Sequence, residues 1–252
     1  MEWREEGVIL GVRRHGETSV IAEVLTEARG RWLGLVRGGR SRAMRPVLQT
    51  GNVVLANWRA RLEDHLGAFT IEPVSLGAGE AMADSFSLAG LASLTALARL
   101  LPEREPHPRM YEALRLVLDR LDDPAIWPAL MVRWELGLLR ELGFGLDLGS
   151  CAVTGGAADL VYVSPRTGRA VSRDAGEPYR AKLLQLPGFL QSTPSSSPSP
   201  RDVLDGFALT GYFLLRHVFE PRGLEPPESR AWITDRLARD TSFDEEETCS
   251  IG

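Results

Sequence analysis

Hydrophobic and polar positions alternate with a period of two as far as Val74, and with a helical period through most of the remaining chain. The apolar runs EEGVILGVRR (5–14) and TSVIAEVLT (18–26) flank His15-Gly16-Glu17 and predict two strands joined by a tight turn. A second turn, Glu27-Ala28-Arg29-Gly30, leads into RGRWLGLVR. Successive side chains of a strand face opposite ways, so Arg29, Arg31 and Arg37 share one face with Leu33 and Leu35, against Trp32, Gly34 and Val36. In NVVLANWRARL the same rule sets Asn57, Arg59 and Arg61 against Val54, Ala56, Trp58, Ala60 and Leu62. GGRSRAMRP (38–46) reads as a mobile basic loop, and GAFTIEPV (67–74) as a further strand. Five short strands, with no helix long enough for a β-α-β unit, predict a closed or nearly closed β-barrel over residues 1–78.

The period changes after Leu76. SFSLAGLASLTALARLL (85–101) has helical spacing, a cap in Asp84 or Ser85, and a stop at Pro102. Further helices are expected over 109–121 and 125–142, the latter ended by Gly143. The Gly-rich stretch 151–176 has a strand-like core at Leu160–Val163 and predicts an inserted hairpin region, 149–178. QSTPSSSPSP (191–200) is a flexible, exposed loop by composition. Helices resume over 202–219 and at about 227–239, and an acidic stretch, 241–252, is expected to be disordered. The predicted class is α+β and multidomain: a barrel, then an all-α domain (79–240) carrying a small inserted hairpin.

Charge adds a second pattern. The net charge is −5 and the pI about 5.5, yet Arg29 to Arg61 holds eight arginines (Arg29, Arg31, Arg37, Arg40, Arg42, Arg45, Arg59, Arg61) and no acidic residue. Two strands that set arginine against an apolar face predict a cationic outer surface suited to a phosphate backbone. An Arg-rich edge that discourages strand-to-strand aggregation accounts for the same residues equally well.

Other chemistry is thinner. Lys182 is the only lysine and has no glycine-rich turn before it, which excludes a Walker-type phosphate loop. His15, His65, His107 and His217 fall in no nucleophile or metal motif, and the paired carboxylates belong to a helix end and a tail, so no enzyme is expected. Cys151 and Cys249 form no disulfide framework. At zinc-knuckle spacing from Cys151 stands Thr154, and Ser172 and Ala175 share the same gap; one cysteine cannot hold structural zinc, so neither metal nor other cofactor is expected. No apolar run approaches the roughly 20 residues of a membrane span, and MEWREEGVIL lacks the order of a signal peptide. A cytoplasmic protein without a membrane partner is expected.

Several motifs, taken together and in order, carry a resemblance. They are Gly16-Glu17-Thr18, Thr26-x-x-x-Gly30-Arg31, Gly38-Gly39-Arg40, LLRELGFGLDL (138–148), YVSPRTGRAVSRDAG (162–176) and LLRHVFEPRGLEPPESR (214–230). The chain resembles the bacterial RecO family of recombination mediators. The resemblance implies an N-terminal OB-fold barrel, a helical domain and a small zinc-binding region, whose Cys-x-x-Cys pairs would fall at Cys151/Thr154 and Ser172/Ala175. It also implies binding and annealing of single- and double-stranded DNA in gap repair, a nucleoid-associated location, and cooperation with RecR to load RecA. A protein-interaction adaptor with a merely structural barrel, or an RNA-binding OB protein, are the alternatives. The family further supplies a partner, the acidic, Phe-terminated tail of the single-strand-binding protein. Arg133, Leu136 and Arg140 share one helix face and could receive it, with Arg216 as a third cation; an ordinary core leucine with a solvated rim is the competing explanation.

Overall fold

The computed structural model describes residues 1–62, 64–191 and 197–249. Five strands form a closed barrel in the order β1-β2-β3-β5-β4: β1 (Glu2–His15), β2 (Ser19–Thr26), β3 (Gly30–Val36), β4 (Val53–Arg59) and β5 (Ala68–Ser75). This is the OB-fold arrangement. β1 is longer than the apolar run that announces it. Glu2 to Val8 pair with β4, Trp3 opposite Trp58, and Gly7 to His15 pair with β2, in a ladder that shifts register between Ile9 and Gly11. Inward residues alternate as the period predicts: Trp32 and Val36 on β3, and Val54, Ala56 and Trp58 on β4, are buried.

The barrel interior is dominated by aromatic rings. Trp32 packs edge-on to Trp58 at 4.6 Å between centroids, and Trp3 stacks on Trp58 at 6.0 Å and meets Phe69 at 5.8 Å. Burial of each such side chain stabilises by about 1.5–3 kcal/mol or more. The indole N–H of Trp58 donates to the carbonyls of Leu33 (3.3 Å) and Leu66 (3.2 Å), tying the β3 strand to the turn before β5.

The basic stretch 38–46, expected as a mobile loop, is folded instead. Arg40 N–H donates to Thr18 O at 3.0 Å and Leu48 N–H to Met44 O at 2.9 Å, while Val47 and Leu48 are buried in the barrel core. Buried Asn52 secures the far end, its amide donating to the carbonyls of Pro46 (2.7 Å) and Val47 (3.0 Å).

Four helices follow: α1 (Ala78–Ala81), α2 (Ser85–Ala98), α3 (Pro108–Leu118) and α4 (Trp127–Glu141). Asp84 caps α2, accepting from Ser87 N–H at 2.7 Å. Contacts divide the chain into two compact units, Met1–Trp127 and Pro128–Gly252, so α2 and α3 group with the barrel although the change of period falls near residue 78.

In the second unit a three-stranded sheet in the order β7-β6-β8 is built from β6 (Leu160–Val163), β7 (Ala170–Ser172) and β8 (Leu184–Gln185), with the short α5 (Arg173–Gly176) after β7. The inserted hairpin is present, with a third strand the sequence reading lacks. α6 (Pro200–Leu214) starts at a Ser199/Asp202 capping box and passes into a π-helical turn, Leu215–Phe219, where one continuous helix is expected. α7 (Glu220–Arg222) and α8 (Glu228–Cys249) complete the chain. A buried ion pair ties α8 to α4, Arg230 donating to Glu135 at 2.8 and 2.9 Å, and a bond from Arg230 to Phe207 O at 2.8 Å ties α8 to α6. Its backbone runs past 239 into the acidic stretch expected to be disordered; residues 192–196 and 250–252, where the Ser/Pro loop and the end of that stretch fall, lie outside the described residues.

Candidate nucleic-acid interface

β3 and β5 are parallel and share only one register pair, Leu35 with Ala68, with a single added bond from Leu35 N–H to Gly67 O (3.0 Å). Beyond that pair the strands are no longer tied, and a groove of about 850 Å³ opens between the end of β3 and the start of β5. Its floor is apolar: Val36, Met44, Ala60, Phe69 and Ile71. Gly34 makes the floor possible, because a Cβ there would stand 2.4 Å from the Phe69 ring. The turn into β5 needs glycine as well: Gly67 has φ +67, and a Cβ would fall 2.3 Å from Trp58.

Arg37, Arg59 and Arg61 stand around this floor. All three are exposed, and among the described residues none has an ion pair or a hydrogen-bonded side chain. Arg42, on the folded loop, is exposed and unpaired in the same sense. A groove rimmed by guanidinium groups that have no counter-ion among the described residues offers the cations that single-strand binding uses for phosphates.

The other four predicted arginines are placed differently. Arg31 turns away from solvent: its guanidinium pairs with buried Glu23 and, at 3.6 Å, with Glu103, and donates to Leu101 O at 2.9 Å. On the Arg31 side of β3, Leu101 O and Glu103 meet its guanidinium, and Arg99 holds the second Glu23 oxygen at 2.8 Å. Arg31 therefore leaves the cationic surface, a correction that alternation cannot reveal because it is blind to what packs on a face from far along the chain. Arg29 pairs with Glu5 at 3.3 Å. Arg40 and Arg45 bind only carbonyls, those of Gly16 (3.3 Å), Glu17 (2.5 Å) and Arg40 (3.3 Å), so they organise the loop and keep their charge. Arg13 and Arg14, exposed at the end of β1 and without an ion pair among the described residues, are missing from the predicted set. The signal for them was two adjacent arginines beside a turn.

In the second unit, a cavity of about 350 Å³ is lined by Leu136, Arg140, Leu146, Asp147, Leu148 and Leu190. It brings together two of the four residues expected for a partner tail. Arg133 does not line it; its guanidinium donates to Phe189 O at 2.8 Å. Arg216 does not either, and donates to the Tyr212 hydroxyl at 2.8 Å.

Cys151 and Ser172 meet, as knuckle geometry requires, without a knuckle's ligands. Buried Cys151 Sγ accepts from Ser172 N–H at 3.3 Å and lies 3.4 Å from its hydroxyl. Burial pushes the thiol up, but hydrogen bonds from Ser172 and Thr154 outweigh it and hold the pKa at about 6. A thiol with two hydroxyls and an alanine is not a structural zinc set, and among the described residues no group of three or more His, Cys, Asp or Glu could hold a metal. The donor set does not fit the metal that the resemblance implies.

Among the described residues no helix is long and apolar enough to cross a membrane. Family models match both halves: "Recombination protein O N terminal" over residues 1–76 and "Recombination protein O C terminal" over 82–225. A DNA repair protein RecO of Methylobacterium nodulans is 58% identical over 234 residues, covering 91% of this chain and 95% of that protein. That of Agrobacterium fabrum is 56% identical over 230 residues (91% of each chain), and that of Brucella abortus 52% over 239 residues (95% and 97%). With an OB barrel, a helical unit and a small inserted sheet in the matching order, the chain belongs to the RecO family of DNA repair proteins.

Proposed function

We propose that this chain is a non-enzymatic recombination mediator: it binds single- and double-stranded DNA, anneals complementary single strands, and acts with RecR to load RecA in gap repair. The observation that carries the reading is the convergence of Arg37, Arg59 and Arg61, without counter-ions among the described residues, on one apolar-floored groove. Guanidinium groups that neutralise phosphates on two strands lower the strands' mutual repulsion while base pairing, which is downhill, proceeds without ATP. The acidic, Phe-terminated tail of the single-strand-binding protein would bind at the Leu136/Arg140 cavity, its phenyl ring among Leu146, Leu148 and Leu190 and its carboxylates at Arg140. That contact would bring the protein to coated strands in the cytoplasm, at the nucleoid.

The test is to mix complementary strands, each coated with single-strand-binding protein, and to follow pairing without ATP. Pairing accelerated by the wild type, and slowed when Arg37, Arg59 and Arg61 are replaced by alanine, is expected. Acceleration that survives the triple substitution would move annealing to another surface. A labelled tail peptide should lose affinity for Arg140→Ala and keep it for Arg133→Ala; indifference to both would remove the cavity from this role.

A further inference from the structure

The groove in the barrel wall is bordered by backbone as well as by arginine. In β4 the even-numbered residues turn their N–H and C=O groups to β1, and just beyond the strand Ala60 continues the pattern by exchanging both bonds with Met1, at 2.7 and 3.0 Å. The odd-numbered residues therefore bond to β5, where Ala68, Thr70 and Glu72 stand opposite Arg59, Asn57 and Leu55. Phe69, Ile71 and Pro73 are left with their backbone groups on the other edge of β5, the edge towards β3. Pro73 fits that direction, because a proline has no N–H to give to β4.

β3 uses this edge only once. At the single register pair, Leu35 with Ala68, Leu35 N–H donates to Gly67 O at 3.0 Å. The next rungs of a parallel ladder would join Arg37 N–H to Phe69 O and Ile71 N–H to Arg37 O. Neither bond is made, because the chain turns after Val36, with Gly39 N–H donating to Val36 O at 3.3 Å. Phe69 O and both backbone groups of Ile71 thus have no backbone partner among the described residues, although both residues line the groove and are only 4% and 8% exposed. Backbone groups in such a place ordinarily find a partner.

The edge presents one donor between two acceptors at strand spacing. Phosphates only accept, so they leave the carbonyls unsatisfied; an extended polypeptide carries both kinds of group and meets all three. The lining sets the charge of that polypeptide, since it holds Arg37, Arg59 and Arg61 and no acidic residue.

We propose that the groove takes an acidic, extended segment of a partner protein as a short added strand on β5, paired with Ile71 and Phe69 O, its carboxylates at Arg59 and Arg61. Pro73, with no N–H to offer, ends the pairing edge. The same arginines serve phosphates in the function proposed above, so the segment would exclude a DNA strand; its own binding is measured without DNA and fails or stands independently of that function.

The full chain is titrated with a short fluorescent peptide of alternating glutamate and valine, and amide hydrogen exchange is followed at Ile71. Saturable binding is expected, with slowed exchange of the Ile71 N–H in the bound state. The same peptide N-methylated at its central amides cannot donate to the two carbonyls and should bind about 10-fold more weakly or worse. Arg59→Ala/Arg61→Ala should weaken the glutamate peptide, and a lysine–valine peptide should not bind. Equal affinity for the N-methylated peptide would reduce the contact to charge alone and overturn the proposal. Unchanged exchange at Ile71, equal binding of the lysine peptide, or the lack of saturable binding would overturn it as well.

Discussion

Arg31 and Arg59 are the same residue type on neighbouring parts of one barrel, and they do opposite things. Arg31 neutralises Glu23, a carboxylate only 5% exposed, whereas Arg59 faces a groove and has no partner among the described residues. Removing Arg31 leaves Glu23 with Arg99 alone, so Arg31→Ala should destabilise by about 1–3 kcal/mol in a denaturant titration and leave the salt dependence of DNA binding unchanged. Arg59→Ala should do the reverse: stability within about 0.5 kcal/mol of wild type, and a log–log salt slope smaller by roughly 0.7 on single strands. Cys151 supplies a pH prediction. Its folded pKa, about 6, lies below the ordinary thiol value of 9.0, so the fold favours the thiolate. The resulting stability is complete above the unfolded pKa and is lost as pH falls through the folded one. The melting temperature of the wild type relative to Cys151→Ala should therefore rise between pH 6 and pH 9 and level off outside that window. A difference independent of pH would mean that the thiol is not held as thiolate.

Elements explain what the sequence could and could not reveal. Period-two patterning in β3 and β4 is visible because each has one face in the Trp3/Trp32/Trp58 core and one outside it, whereas β2 is buried on both faces and reads as an apolar run. The first half of β1 is hidden by its charges: only Trp3 faces inward, among Glu2, Arg4, Glu5 and Glu6. The β3–β5 seam is hidden for a different reason, since one parallel register pair between strands distant in sequence leaves no local trace. The groove that opens at this seam was thus unreadable, although Arg37, Arg59 and Arg61 themselves stood out. Cavity-lining Leu136 and Arg140 were legible from helical spacing, but Arg133 was not separable from them, because its capture by Phe189 O depends on a segment far along the chain. The seam also carries a prediction. Gly34→Val would drive a side chain into the Phe69 ring and should cost roughly 1–3 kcal/mol, with DNA affinity falling as the groove floor shifts. Unaltered stability would show that the ring has room to move. In the inserted sheet, elemental analysis of protein purified without a metal-affinity tag should find far less than one zinc per chain, and a chelator should leave the melting temperature unchanged; a stoichiometric, chelator-sensitive metal would overturn the argument from the donor set.

At the scale of the molecule, a protein of net charge −5 sets three arginines, Arg37, Arg59 and Arg61, without counter-ions among the described residues around one groove of its barrel. Overall acidity disfavours indiscriminate attraction to nucleic acid, and beyond about 8 Å at physiological ionic strength the groove's field is largely screened, so binding should be local and steeply salt-dependent. The adaptor alternative predicts almost no salt dependence from the barrel, and RNA recognition predicts a preference for ribose strands that phosphate contacts alone would not give. Matched DNA and RNA oligonucleotides separate these outcomes. The measurement that bears most directly on the groove is the salt titration of single-stranded DNA binding by wild type and by Arg37→Ala/Arg59→Ala/Arg61→Ala. With three phosphate contacts removed, the log–log slope should fall by about 2 while the melting temperature holds. A slope identical to that of the wild type would contradict the assignment and leave these arginines as solubilising surface.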